Sequence, residues 1–209
     1  MAGSLTSLVK QGKVDEFNRK VREWEEDRGE LPSLQTETFD ELELSGFDFS
    51  GLDLSYAEFG DCTLTDVRFD EAVLDGAYAH GSTFIECYFE GIEADGLALD
   101  SCTFSKCSFE GVEFDNIEFT DCQFTECHFA EVVAESPIIE RTTFKEGEWS
   151  DVVFNDGNLK LVTLRGVTLS EVDLTDCEAK NCYVTSGTTA GVELPDGFIE
   201  KTGRRRRMD

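Results

Sequence analysis

The sequence predicts an all-β solenoid, a parallel β-helix of stacked four-sided coils with an α-helical cap at its amino end. Apolar residues recur every five positions without interruption, and a second series of smaller residues lies two positions before them. The first 40 residues lack this repeat and show helical spacing instead. We therefore divide the chain into a helical cap (1–40), a repeat region (41–186) and a carboxy-terminal segment (187–209).

The amino-terminal segment has the spacing of two helices. Val14, Phe17 and Val21 recur at intervals of three or four residues, which places them on one helical face. Gly12 separates a short first turn from this longer helix. A solenoid exposes apolar coil interior at each end and needs a cap. We therefore expect residues 1–40 to cover the first coil rather than to bind a partner.

The main apolar series begins at Leu44 and steps by five residues to Val184. All 29 of its positions are apolar, and 13 of the 17 Phe residues lie on it, although only 40% of the chain is apolar. Two inward positions separated by one outward position are typical of a β-strand. The next two positions, as in Asp75-Gly76, have the chemistry of turns. Each repeat is therefore predicted to be a short straight edge followed by a corner.

Four edges close a square, so one coil takes 20 residues. About seven coils fit between residues 42 and 186, which makes a rod about 35 Å long at the spacing of hydrogen-bonded strands. The second series starts at Leu42. The residues that fit it least well lie between 137 and 157, where we expect a local irregularity. These members are Pro137, Thr142, Gly147 and Gly157.

The eight cysteines all belong to the second series, where a small apolar side chain is required. Cysteines five residues apart, such as Cys102 and Cys107, lie on different faces. Those twenty apart, such as Cys87 and Cys107, stack with Cβ atoms about 4.8 Å apart, beyond the ~3.8 Å of a disulfide. We expect reduced thiols that fill the core, as in other cytoplasmic proteins.

The pattern of polar residues does not indicate catalysis. His80 and His128 fall at outward positions without a nucleophile beside them, and acids are frequent enough to pair by chance. We find no phosphate-binding glycine loop, zinc motif, membrane-spanning apolar run or secretory signal. We therefore expect a cytoplasmic protein that is not an enzyme and that uses no cofactor and no metal.

Segments such as FDFSGLDLSYAEF, CTFSKCSFEGVEF and CQFTECHF resemble the pentapeptide-repeat family, over about 70% of the chain. The resemblance implies a right-handed quadrilateral β-helix. Several topoisomerase-protecting members of this family dimerise end to end through the carboxy terminus, so the resemblance also implies a homodimer through that end. Members that protect strongly carry projecting loops. This repeat contains no insertion, and the loopless, mycobacterial-type members are the closer comparison.

The carboxy-terminal segment offers few apolar residues to cover the last coil and shows no amphipathic helix. The apolar residues available are Val192, Leu194, Phe198 and Ile199. The basic run Arg204–Arg207 follows them, and we expect it to form a solvated, disordered tail.

The acids are unevenly placed around the coil. The net charge of −27 repels nucleic acid and anionic membranes and attracts basic protein surfaces. The face centred on Leu54 and Leu74 carries ten acids and no base, and the preceding face carries nine acids and Arg68. The candidate partner-binding residues are Asp53, Asp75, Glu93, Asp95, Glu113, Asp115 and Glu135 on the first face, with Asp70, Glu71, Glu90 and Glu110 on the second.

The density of these acids is close to that of DNA. B-DNA carries one negative charge per about 1.7 Å of axis, so about 35 Å of duplex carries about 20 charges. The sequence therefore predicts a DNA mimic that binds a DNA-handling enzyme. The family resemblance implies a type II topoisomerase, particularly DNA gyrase, that is protected from topoisomerase poisons or modulated in its DNA binding. The alternative is a structural scaffold, a rod that interacts with an unrelated protein partner and whose acids provide solubility.

Overall fold

The computed structural model describes residues 4–27, 33–185 and 189–200. Two helices come first, α1 (Leu5–Lys10) and α2 (Val14–Asp27). The hydroxyl of Ser4 caps α1 by accepting a hydrogen bond from the amide of Ser7 at 3.2 Å. Gly12, at a φ of +65°, makes the turn between the helices. Both helices are those that the sequence predicts.

The cap covers the apolar interior of the first coil. Phe17 of α2 is completely buried, and its ring meets the rings of Phe47 and Phe49 edge to face, with centroids 5.3 Å apart in each case. Leu8 of α1 is also buried. The helices therefore bury the end of the rod that would otherwise be exposed.

The rest of the described chain is a parallel β-solenoid with three sheets. Sheet I consists of β1 (Thr38–Asp40), β3 (Glu58–Gly60), β5 (Tyr78–His80), β9 (Ala98–Asp100), β13 (Glu118–Thr120), β16 (Ile138–Glu140), β19 (Asn158–Lys160) and β22 (Glu178–Lys180). Sheet II consists of β2 (Glu43–Ser45), β4 (Thr63–Thr65), β6 (Thr83–Ile85), β10 (Thr103–Ser105), β14 (Gln123–Thr125), β17 (Thr143–Lys145), β20 (Thr163–Arg165), β23 (Cys182–Thr185) and β25 (Phe198–Glu200).

Sheet III occupies the two remaining sides of the rod. Its strands are β7 (Tyr88–Glu90), β8 (Glu93–Asp95), β11 (Ser108–Glu110), β12 (Glu113–Asp115), β15 (His128–Glu135), β18 (Glu148–Asn155), β21 (Thr168–Asp173) and β24 (Thr189–Glu193). From β15 onward a single strand runs across the corner between the two sides. Before β7, isolated bridges such as Asp53↔Val73 and Val73↔Glu93 continue the same stacking.

Residues twenty apart are stacked in register, so that Phe104 lies between Phe84 and Phe124. The eight strands of sheet I correspond to about eight coils. This is one coil more than the repeat predicts, because the strands begin at Thr38 and continue beyond residue 186 to Glu200.

The expected irregularity between residues 137 and 157 does not occur, since the register continues through this stretch. Thr142 is completely buried, and its hydroxyl donates to the carbonyl of Glu140 at 3.0 Å. Gly157 leaves room for its neighbour in the next coil: a Cβ there would lie 2.8 Å from the sulfur of Cys177. Small or hydrogen-bonded side chains are thus tolerated at these inward positions.

The main apolar series forms the core. Its 29 positions are all buried except the half-buried Ala179. Phenylalanine rings stack along the rod almost in parallel, with centroids 4.5 Å apart for Phe84 and Phe104, and 4.6 Å apart for Phe104 and Phe124. The eight cysteines are buried and free, as the sequence predicts.

The corners use left-handed backbone conformations. From Thr36 to Glu171, every fifth residue has a positive φ, although many of these residues are not glycine. This conformation costs energy in residues other than Gly, Asn and Asp. The coil geometry therefore imposes a regular backbone strain that the stacked core must offset.

Candidate partner-binding surface

The two sides covered by sheet III and by the bridged residues before it carry the acids that the sequence places there. We call the outer surface of these two sides the acidic double face. Eight of the eleven candidate residues are exposed to solvent: Glu71, Glu90, Glu93, Asp95, Glu110, Glu113, Asp115 and Glu135. Asp53 and Asp75 are half-buried. The coil thus brings these ten carboxylates to one continuous surface.

Carboxylates of successive coils are stacked directly on one another in this surface. Glu93 is in register with Glu113, and Asp95, Asp115 and Glu135 follow one another in three successive coils. Strands in register lie about 4.8 Å apart, and like charges directly opposite each other destabilise a sheet. The double face therefore carries repulsion that contributes nothing to folding.

Few cations neutralise these carboxylates. Among the described residues, the ion pairs of the double face are those of Arg68 with Asp70 and of His128 with Glu148, the latter at 3.8 Å. The His128 pair is charged on both sides only when the imidazole is protonated. Most of the acids on the double face thus lack a basic partner within this part of the chain.

The other sides of the rod pair their acids more fully. Arg141 binds Asp121 at 2.8 Å and Glu140 at 2.7 Å, and Lys160 binds Glu140 at 3.1 Å. The hydrogen bond from Arg141 lowers the pKa of Asp121, and that from Lys160 lowers the pKa of Glu140. Among the described residues, acids with a basic partner therefore lie mainly outside the double face, and acids without one lie mainly on it.

Asp70 differs from the other ten candidate residues because it is buried. One of its oxygens accepts a hydrogen bond from the amide of Glu90 at 3.0 Å, and the other meets the guanidinium of Arg68. That guanidinium also lies over the ring of Tyr88, 5.5 Å from its centroid. Asp70 therefore orders its neighbours and presents little charge to solvent.

Histidines and cysteines are not gathered into a site. Nε2 of His80 lies 3.6 Å from Glu58 on sheet I, whereas His128 lies on the double face. Within the described ranges, no three His, Cys, Asp or Glu side chains are arranged to hold a metal ion. No helix among these residues is both long and apolar enough to span a membrane.

Sequence reasoning missed one feature at the edge of the double face. Tyr56 is 67% exposed at the corner between sheets III and I, where the repeat usually has a polar residue or glycine. A bulky aromatic residue at a corner position is a signal that could have identified it. The five-residue repeat predicts which positions point inward, and it does not distinguish one corner residue from another.

Fold and surface together define a β-solenoid that displays a charged face. Comparison with family models identifies its class: residues 97–174 match the model of the pentapeptide repeat region, and residues 38–70 and 53–91 match the model of pentapeptide repeats in eight copies. These matches together span more than half of the chain. The chain therefore belongs to the pentapeptide-repeat family.

A solved structure has a similar fold. A trypsin-treated variant of QnrB1, a plasmid-mediated fluoroquinolone resistance protein, is similar with a TM-score of 0.51 and 20% identity, over 78% of this chain and 91% of that chain. Full-length QnrB1 gives a TM-score of 0.48 at 20% identity, over 78% of this chain and 93% of that chain.

HetL is a pentapeptide-repeat protein involved in heterocyst differentiation regulation in the cyanobacterium Nostoc sp. strain PCC 7120. It gives a TM-score of 0.28 at 15% identity, over 79% of this chain and 88% of that chain. No curated protein matches this chain in sequence. The similarity to the trypsin-treated QnrB1 variant, at 20% identity, shows the fold alone.

Proposed function

We propose that this protein is a non-catalytic binding protein whose acidic double face mimics DNA and occupies the DNA-binding surface of a type II topoisomerase, DNA gyrase in the first instance. The observation that carries the proposal is the stacking of unneutralised carboxylates on two adjacent sides of a rod. The shared fold with QnrB1, a fluoroquinolone resistance protein, supports the choice of a drug-targeted topoisomerase as the partner.

The proposed mechanism is competition for a basic surface. Stacked acids such as Glu93 and Glu113 repel each other in the free protein. Cations of a DNA-binding surface relieve this repulsion, and the field of the acidic double face accelerates their encounter at low salt. The bound rod then excludes the DNA segment from the same surface. The result is either protection of the enzyme from a DNA-dependent poison or inhibition of its DNA binding.

The strands between residues 38 and 185 follow one another without an inserted loop. We therefore place the contact on the coil surface itself. In this proposal, the cap (1–40) closes one end, the repeat region (41–186) presents the acids, and the carboxy-terminal segment (187–209) joins two copies end to end. The proposed site of action is the cytoplasm, where a topoisomerase would be met.

The test reverses the charge of a patch in the middle of the acidic double face. Glu93, Asp95, Glu113 and Asp115 are all exposed, so their replacement by Lys should change stability little. We expect this variant to lose affinity for purified gyrase by about tenfold or more. Binding is measured by surface plasmon resonance at several salt concentrations, and supercoiling is measured with and without a fluoroquinolone.

The matched control reverses four exposed acids on the opposite sides, Glu41, Glu43, Asp61 and Glu118, none of which lies in an ion pair among the described residues. It changes the net charge by the same amount. We expect a loss below about threefold, because long-range steering depends on total charge and contact affinity on placement. Equal losses in the two variants would refute mimicry and favour a scaffold with an unrelated partner.

A further inference from the structure

Tyr56 is placed where neither packing nor backbone geometry favours it. Its side chain is 67% exposed, more than any other large apolar side chain among the described residues. Its φ is +59°, the left-handed conformation that suits Gly, Asn or Asp. Folding alone would favour a small polar residue at this corner. Positive φ values occur at every corner of this rod from Thr36 to Glu171, so the distinguishing feature of Tyr56 is its exposed aromatic ring, a side chain enriched in binding hot spots.

The ring of Tyr56 borders an open trough along the corner of the rod. The next two coils have Gly76 and Gly96 at this position. A Cβ at Gly76 would lie 2.6 Å from the ring of Tyr56, so only glycine admits this ring orientation. A Cβ at Gly96 would meet no atom within 4 Å. The ring of Tyr56 therefore covers Gly76, and the trough is open beyond it, over the backbone of Gly96.

Carboxylates border the same trough. Asp75 and Asp95 precede the two glycines, and Oδ1 of Asp75 accepts a hydrogen bond from the amide of Asp95 at 2.9 Å. Asn116 closes the far end, and its amide group donates to Oδ1 of Asp95 at 2.9 Å. We call these residues, with Tyr56, Gly76 and Gly96, the Tyr56 trough. It combines an aromatic face with two acids.

The chain itself shows what such a combination binds. On the same double face, the guanidinium of Arg68 lies over the ring of Tyr88 and pairs with the carboxylate of Asp70. The Tyr56 trough repeats the ring and the acids, but no Lys or Arg of the described residues lies over its ring. The contact at Tyr88 contains its own cation, Arg68, whereas the Tyr56 trough can accept a cation from another molecule.

We propose that the Tyr56 trough binds an arginine side chain of the protein partner, with the guanidinium on the ring of Tyr56 and between Asp75 and Asp95. Arginine suits this site better than lysine because its planar group stacks on aromatic faces and meets carboxylates with paired hydrogen bonds. The inference rests on the proposed function in requiring a basic partner. It adds a contact that DNA itself does not make, and thus a source of specificity.

The experiment compares a hexa-arginine with a hexa-lysine peptide, which carry equal charge. We expect the native protein to bind hexa-arginine about twofold to fivefold more tightly, as an exposed cation–π contact allows. Tyr56→Asn should lose this preference and keep its affinity for hexa-lysine. Its melting temperature should not fall, because Asn tolerates a positive φ. Calorimetry gives the affinities, and the Tyr56 ring protons in the NMR spectrum of the native protein should shift with hexa-arginine.

Leu161→Asn is the matched control. Leu161 is also apolar and 41% exposed, with a φ of +58°, but it lies at the corner between sheets I and II. This variant should keep the arginine preference. Equal affinity of the native protein for both peptides, unshifted Tyr56 ring protons, or a preference that survives in Tyr56→Asn would overturn the inference. None of these outcomes depends on gyrase, so the charge-reversal test of the proposed function succeeds or fails separately.

Discussion

Single residues in the second series show why cysteine is frequent there. The sulfur of Cys62 donates to the carbonyl of Phe39, 23 positions earlier, at 3.1 Å, and Ser82 makes the same contact to Phe59 at 3.0 Å. The position therefore accepts a small side chain that carries a donor. A thiol supplies the donor and remains largely apolar, which a core position favours.

We expect these thiols to be unreactive in the folded protein. Burial raises the pKa of Cys62, Cys177 and Cys182, so the reactive thiolate of these three is scarce near neutral pH. The other five thiols are also buried, so a reagent in solution does not reach them. An aromatic disulfide reagent at pH 8 should therefore label the native protein slowly and all eight thiols after unfolding in guanidinium. Rapid labelling of most thiols in the native state would contradict the inward register.

At the scale of elements, α2 completes the first coil as well as covering it. The side-chain amide of Asn18 donates to the carbonyl of Gly46 at 2.8 Å, and its oxygen accepts from the amide of Asp48 at 3.0 Å. These two backbone groups lie at the start of the solenoid, where the described residues form no preceding coil on this side of the rod. One side chain of the helix thus supplies the hydrogen bonds of a missing strand.

Removal of this contact should weaken the cap. We expect Asn18→Ala to lower the free energy of unfolding by about 1–2 kcal/mol, because it leaves two part-buried backbone groups without partners. Arg22→Ala, on the exposed surface of the same helix, should change it by less than about 0.5 kcal/mol. Urea denaturation followed by circular dichroism measures both. Similar values for the two variants would show that Asn18 does not close the coil.

The sequence predicts the strands of the five-residue repeat, but it does not predict the last strand, β25. Every inward position between Leu44 and Leu174 follows from one five-residue rule, because each coil repeats the same packing. β25 breaks that rule: Cys182 pairs with Phe198, an offset of 16 residues instead of 20. A search at a fixed period cannot find a shortened coil.

The candidate surface was predictable in part for a related reason. Coil position determines which acids point outward, so exposed carboxylates such as Glu93 and Glu113 could be assigned from the repeat. The burial of Asp70 could not be predicted in this way, because it depends on the contacts of the Arg68 side chain with Asp70 and Tyr88. Side-chain contacts of this kind are not periodic.

For the whole molecule, the two ends of the rod are closed differently. The amino end carries two helices, whereas the described carboxy end is covered only by β24 and β25. Ile199 of β25 is 52% exposed there. An exposed apolar side chain beside an edge strand favours pairing with another chain. This end is therefore the surface on which we place the proposed dimer contact.

Truncation tests this contact. Deletion of residues 192–209 removes β25 and the last two residues of β24, and it should shift the protein from dimer to monomer or aggregate, as measured by light scattering coupled to size exclusion. Deletion of residues 201–209 keeps β25 and should leave the dimer intact. The basic run Arg204–Arg207 lies outside the described residues, and the second deletion also tests whether it contributes. A monomeric full-length chain would exclude the proposed dimer.

The twenty-residue register also constrains how this rod can change length. Each coil adds about 4.8 Å, whereas one base pair of DNA adds about 3.4 Å, so two coils correspond to about three base pairs. Duplication of a whole coil would lengthen the charged surface without altering its cross-section. Insertion of a single five-residue repeat would keep every core residue inside but rotate all later acids by a quarter turn. The charged surface can therefore change its length at constant cross-section only in steps of twenty residues.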